Sequence, residues 1–285
     1  MTRLDKLLLH VPRLRRLVLD REAFAAHCAR LQHELDESLE RERALRQQLD
    51  KSGEEARALA AASGDGSSIN ERMRNDWDNR ARTSSRYFIV TGEQARTEES
   101  FFDSGEANVR DHILNDLENI CQGSDPRRMR IVEIGCGAGR LTRALAAVFG
   151  EIHAVDVSGE MIRQARETAG ALPNVRLYVN NGADLSVLPA APFHFAFSFL
   201  VFQHVPERSV IETYVREVHR VLEPGALFKF QVEGGPAPDE APADTWHGVS
   251  FSEEELRAMA LRCGFEARYL EGAGTQYLWA WFFKP

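Results

Sequence analysis

Val132-Glu133-Ile134-Gly135-Cys136-Gly137-Ala138-Gly139-Arg140-Leu141-Thr142 is the stretch whose reading decides the fold. A β-rich run precedes it and a helix-rich one follows, the context that a glycine-rich ligand loop requires. Glycines let the backbone turn tightly and let a ligand approach more closely than a Cβ would permit. The helix start beyond Gly139 offers unpaired N–H groups and a positive dipole end to an anionic group. The third glycine falls two residues after the second, and an acidic residue stands two before the first.

Outward from this loop, strand and helix patterns alternate. Strands are expected at 129–134, 152–157, 175–180, 193–198 and 226–232, with helices at 108–121, 140–149, 159–169 and 207–222. This order builds a parallel sheet covered on both faces. A further helix over 252–264 then leads to two strand-like runs, 265–272 and 276–285, joined by a short turn at Gly272–Gly274. The expected fold is α/β: a Rossmann-like, doubly wound, mostly parallel sheet with a C-terminal antiparallel hairpin.

Glu-x-Gly-x-Gly-x-Gly at 133–139 resembles the first motif of class I S-adenosylmethionine (SAM)-dependent methyltransferases. A nicotinamide-binding loop reads Gly-x-Gly-x-x-Gly and would want glycine or alanine at the position of Arg140. The resemblance implies that Glu133, Gly135, Cys136, Gly137 and Gly139 surround SAM. Asp156 ends the next strand, where a carboxylate can accept both hydroxyls of a ribose; the alternative is a simple cap on the helix near Gly159. Val157 and Met161 would flank the adenine. Asn181 stands where relatives present an acid to the adenine amino group, with backbone contacts from Gly182 and Ala183. After the fourth strand, Phe199 and Leu200 would lie along the cofactor and His204 at the rim of its pocket. His194 departs from the acid many relatives carry there, a change expected to affect packing. The resemblance covers about residues 70–285.

Residues 1–62 are of another composition, rich in Leu, Arg, Glu, Gln and Ala. A heptad passes through Leu14, Leu17, Phe24, Cys28, Leu31, Leu35, Leu45 and Leu49, imperfectly, since Arg21, Ser38 and Glu42 fall on its seam. The segment reads as a helical, coiled-coil arm that would bind a homodimer mate or a partner protein, with a single helix docked on the domain also open, and 63–70 reads as a flexible linker. The formal net charge of -8 argues against a nonspecific nucleic-acid partner. No apolar run reaches the length of a membrane span. The four cysteines (Cys28, Cys121, Cys136, Cys263) form no zinc or disulfide pattern, as in reduced cytoplasmic proteins.

The domain proper is expected over 108–285, with 71–107 as a lid over the pocket. Trp77, Tyr87, Phe101 and Phe102 supply aromatic surface there, the Phe pair reading as core, and Arg80 and Arg86 supply charge. The lid and 236–248 are expected to select a small-molecule acceptor. O-methylation is the first reading, with His204 and His247 as candidate general bases and no metal; ordinary hydrogen-bonded roles are the plainer reading of both. Two alternatives stand beside it: a catalytically silent methyltransferase-like domain whose arm is the functional part, and an NAD(P)-dependent oxidoreductase.

Overall fold

A computed structural model describes residues 68–90, 97–190, 192–235 and 245–285, together with six helical residues, His27, Arg30, Gln32, His33, Glu37 and Glu40. The chain divides into two compact units, Met1–Gly66 and Ser67–Pro285. Apart from those six residues, the coiled-coil arm expected over 1–62 lies outside the described residues, as does 236–244 of the acceptor-selecting segment. No described helix is long and apolar enough to cross a membrane.

The second unit is built on one seven-stranded sheet of order β3-β2-β1-β4-β5-β7-β6. Its strands are β1 (Arg130–Ile134), β2 (Glu151–Asp156), β3 (Val175–Val179), β4 (Phe193–Ser198), β5 (Leu222–Val232), β6 (Glu266–Glu271) and β7 (Leu278–Phe283). The first five pair in parallel, while β7 runs antiparallel between β5 and β6. Both faces are covered, so the central strands are apolar without alternation: β4 reads FHFAFS and is buried at every position but His194. His194 is no defect, because its Nδ1 accepts the Arg130 backbone N–H at 2.8 Å.

Helix α1 (Ile69–Ile89) opens inside the stretch read as a linker. Ser68 and Glu71 form a capping box, in which the Ser68 hydroxyl accepts from Glu71 N and the Glu71 carboxylate accepts from Ser68 N. The segment expected to be a lid thus contains most of α1 and most of α2 (Glu98–His112). Phe101 and Phe102 of α2 are buried, in contact edge to face.

The helix expected over 108–121 is not continuous. It ends at His112, passes through a 3₁₀ turn at Leu114–Asp116 and resumes as α3 (Leu117–Cys121). The cause lies in β5, where Lys229 is buried in the sheet. Its ammonium donates to His112 O at 2.7 Å and to Asp116 Oδ2 at 2.6 Å, and Trp281 Nε1 also donates to Asp116 at 2.6 Å. A buried cation must be paired and hydrogen-bonded, and the break supplies both acceptors. The remaining helices, α4 (Arg140–Ala146), α5 (Gly159–Ala169), α6 (Arg208–Val221) and α7 (Glu253–Arg262), follow the expected order. Cys121, Cys136 and Cys263 are buried free thiols.

Candidate active site

The loop between β1 and α4 turns beneath the end of β2. Gly135 N and Cys136 N both donate to Val155 O, at 2.8 and 3.1 Å. Gly137 is in the left-handed region at φ 54°, which costs a residue with a side chain about 1–2 kcal/mol. Its N–H donates to Asp156 Oδ2 at 2.8 Å. Asp156 Oδ1 meanwhile accepts from Ser158 N at 2.9 Å, so the carboxylate is held at both oxygens while each keeps a lone pair.

These elements wall a cavity lined by Glu133, Gly135, Cys136, Gly137, Asp156, Val157, Met161, Asn180, Phe199, Leu200 and His204, with Met73 and Trp77 of α1 against it. Burial raises Asp156 to a pKa of about 6, the Ser158 and Gly137 N–H groups opposing. Burial raises Glu133 to about 7, with the Thr142 hydroxyl donating to it at 2.6 Å. Helix α1 is fixed across the cavity by Asp78, whose Oδ1 accepts from Ser158 Oγ at 2.6 Å and Glu160 N at 3.1 Å.

Four residues expected around the cofactor do not line this cavity. Gly139 caps α4, and a Cβ there would lie 2.9 Å from Thr168 Oγ1, so its role is close packing against α5. Asn181 is exposed, and its Oδ1 accepts from Ala183 N and Asp184 N at 2.8 and 2.9 Å. Gly182 and Ala183 belong to that same turn and do not line the cavity. Asn180 does: its Nδ2 donates to Tyr214 Oη at 2.6 Å, and its buried Oδ1 has no hydrogen-bond partner. An orphaned acceptor in an apolar wall costs about 1–3 kcal/mol unless a ligand donor meets it. A purine amino group is such a donor.

A second cavity lies beside the first, lined by Ser104, Asn108, Asp111, Gln203, Glu233, Trp246, His247 and Tyr277 among others. Phe88, Ile89, Arg140, Phe199, Leu200 and His204 border both, so the cavities meet at these side chains. Segment 245–248 closes one side. Arg80 of α1 donates to Thr245 O and Oγ1, each at 3.0 Å, and its guanidinium lies 4.8 Å from the Trp77 ring and 5.5 Å from that of Trp246. Gly248 N donates to Gln203 O at 2.8 Å, and a Cβ at Gly248 would strike Val205 O at 2.5 Å.

His204 sits at this junction between the Trp77 and Trp246 rings. A hydrogen-bond chain fixes its protonation pattern. Leu200, left-handed at φ 59°, donates its N–H to Gln231 Oε1 at 3.1 Å. Gln231 Nε2 therefore faces Gln203 Oε1 at 2.9 Å, and Gln203 Nε2 faces His204 Nε2 at 3.2 Å. At the other end, His204 Nδ1 lies 2.6 Å from Trp246 O, which can only accept. Backbone groups of fixed polarity at both ends leave one arrangement: Nδ1 protonated, Nε2 an acceptor. His247 lines only the second cavity.

Residues 131–225 match a family described as a methyltransferase domain. A ubiquinone biosynthesis O-methyltransferase of Xanthomonas axonopodis pv. citri is 28% identical over 130 residues, which are 44% of this chain and 53% of that protein. The chain thus spans about half the length of that relative. A malonyl-[acyl-carrier protein] O-methyltransferase of Salmonella typhimurium is 29% identical over 184 residues, 62% of this chain and 67% of that one. Among solved structures, the DhpI-SAH complex superposes with a TM-score of 0.53 at 20% identity, covering 76% of this chain and 98% of that one. Magnesium protoporphyrin IX methyltransferase of Synechocystis with bound SAM gives 0.54 at 13% identity, covering 78% and 100%. The fold is the Rossmann-like methyltransferase fold. Within it, the first cavity lies at the carboxyl ends of β1, β2 and β4, where open α/β sheets bind their ligands.

Proposed function

We propose that this chain is a SAM-dependent methyltransferase that methylates a hydroxyl of a small or medium-sized acceptor. The observation that carries the reading is the meeting of two cavities at Phe88, Ile89, Arg140, Phe199, Leu200 and His204. The first has the acceptor set for an adenosyl group: Asp156 for the ribose hydroxyls, the orphaned Asn180 Oδ1 for the adenine amino group, and Val157 and Met161 as apolar walls. SAM supplies an electrophilic methyl on a sulfonium, so the protein's task is alignment and exclusion of water. The second cavity takes the acceptor. Both curated relatives are named as O-methyltransferases, which favours oxygen as the methylated atom.

In this reading Phe88, Ile89 and Leu200 keep the junction dry. The acceptor hydroxyl takes the place of the Gln203 amide on His204 Nε2, whose 3.2 Å separation is the longest in the chain of contacts. As the oxygen attacks, its proton passes to Nε2, and the imidazolium is held by the Nδ1–H bond to Trp246 O. His247, confined to the second cavity, contacts the acceptor. The antiparallel β7 and Arg140 after the glycine loop weigh against the nicotinamide alternative.

Calorimetric titration with SAM and S-adenosylhomocysteine tests the reading. Micromolar binding is expected, weakened at least about tenfold, or 1.4 kcal/mol, in Asp156→Ala. Folded protein that binds neither compound would refute it.

A further inference from the structure

Arg140 is 3% exposed, yet no carboxylate among the described residues pairs with it. Its Nη1 donates to two neutral oxygens, Ser104 Oγ at 3.2 Å and Asn108 Oδ1 at 2.5 Å, and its buried Nε–H has no acceptor. Glu133 is the carboxylate that acts on it electrostatically, but Glu133 takes the Thr142 hydroxyl instead of the guanidinium. A buried cation left in this state is unfavourable, because the distant charge of Glu133 repays desolvation only in part and no carboxylate among the described residues accepts from the guanidinium. Its planar fork is matched to a bidentate oxyanion.

The side of the junction on which the guanidinium works follows from its partners. Ser104 and Asn108 line the second cavity and not the first. The chain enforces this through Gly105, where a Cβ would lie 2.4 Å from Arg140 O. The absent side chain lets α2 lie directly on the start of α4 and brings Ser104 and Asn108 to the guanidinium. Asp111 and Glu233 also line that cavity, and neither forms an ion pair with Arg140.

We propose that Arg140 is the oxyanion anchor of the acceptor cavity, so that the acceptor carries a carboxylate or phosphonate-type group in addition to the hydroxyl presented to His204. This rests on the methyltransferase reading above. The two polar side chains of the junction then divide the acceptor between them: the anion docks on Arg140, which orients the hydroxyl toward Nε2 of His204. An acceptor lacking the anion would leave the cation unpaired and be rejected.

The test uses full-length protein saturated with S-adenosylhomocysteine at low ionic strength. The Arg140 Nε–H resonance is assigned by its loss in Arg140→Lys, and acetate, methylphosphonate and the neutral acetamide are titrated in turn. A saturable shift with either anion, at least about tenfold stronger than with acetamide, is expected. Equal responses, or no response, would overturn the proposal using wild-type protein alone. The cofactor's own carboxylate is the competing source. Arg140→Lys should change the affinities for S-adenosylhomocysteine and for methylthioadenosine, which lacks the carboxylate, by the same factor, to within about twofold. A selective loss of S-adenosylhomocysteine affinity would assign Arg140 to the cofactor and overturn the acceptor role. If wild type binds no S-adenosylhomocysteine, the underlying function falls, and this inference with it.

Discussion

Gln231→Leu should both destabilise the protein and release the protonation pattern of His204. Gln231 is fully buried in β5; its Oε1 accepts from Leu200 N at 3.1 Å, and the two hydrogens of its Nε2 are shared among Gln203 Oε1, Val232 O and Gln276 O at 2.9, 2.9 and 3.1 Å. Leucine fills nearly the same volume, so a cavity contributes little. The substitution orphans the Leu200 N–H and Gln203 Oε1 outright, at about 1–3 kcal/mol each. Burying leucine in place of an amide returns about 1–2 kcal/mol, leaving a net loss centred on about 2–3 kcal/mol. Leu200 then loses the bond that offsets its left-handed backbone, worth about 1–2 kcal/mol of strain, and its loop should relax. Urea unfolding measures the stability, and 15N-edited NMR of the His204 ring reads which nitrogen carries the proton. Wild type should show Nδ1 protonated and Nε2 bare, and the variant a mixture. A loss below about 0.5 kcal/mol with an unchanged ring spectrum would refute the chain of orientation from Leu200 to Trp246.

Other outcomes are expected. Asn180→Leu should weaken S-adenosylhomocysteine binding about tenfold and abolish the preference for it over the inosyl analogue, read by calorimetry; Asn181→Ala should do neither. Because burial raises Glu133 from its ordinary 4.5 to about 7, the folded state binds more protons than the unfolded one in that interval. Stability is therefore greatest below pH 4.5 as far as this group is concerned and is lost as pH rises toward 7. Glu133→Gln should flatten that decline in urea melts from pH 4.5 to 8. In the proposed function Asp156, raised to about 6, accepts the ribose hydroxyls as the carboxylate, so cofactor affinity should fall as pH drops below about 6. Lys229→Met should cost about 3–5 kcal/mol by stranding Asp116, and adding Asp116→Asn should recover part of it; equal stability of single and double variants would argue against the pair.

Much of this protein was legible from spacing alone. Period and punctuation are local properties, so the strands following the glycine loop, the α5 helix over 159–169 and the C-terminal hairpin stand within a few residues of where the sequence places them. The capping box at Ser68–Glu71 was equally local, yet the small polar residues before it drew the linker reading past the helix start. Local pattern cannot tell which of two adjacent asparagines faces inward. Asn180 follows β3 and is buried against Tyr214, whereas Asn181 turns outward to bind its own backbone, and only the packing of α6 on the sheet separates them. The break at His112 was likewise out of reach, since it answers a lysine 117 residues away in sequence. The sequence by itself determined the sheet, the loop and the carboxylate at 156, because hydrophobic period and glycine placement act over a few residues. Tertiary structure alone decided the junction of the two cavities, the burial of the Arg140 guanidinium on neutral oxygens and the orientation of His204. Those depend on desolvation and on hydrogen-bond polarity passed between elements that meet only when the chain has folded.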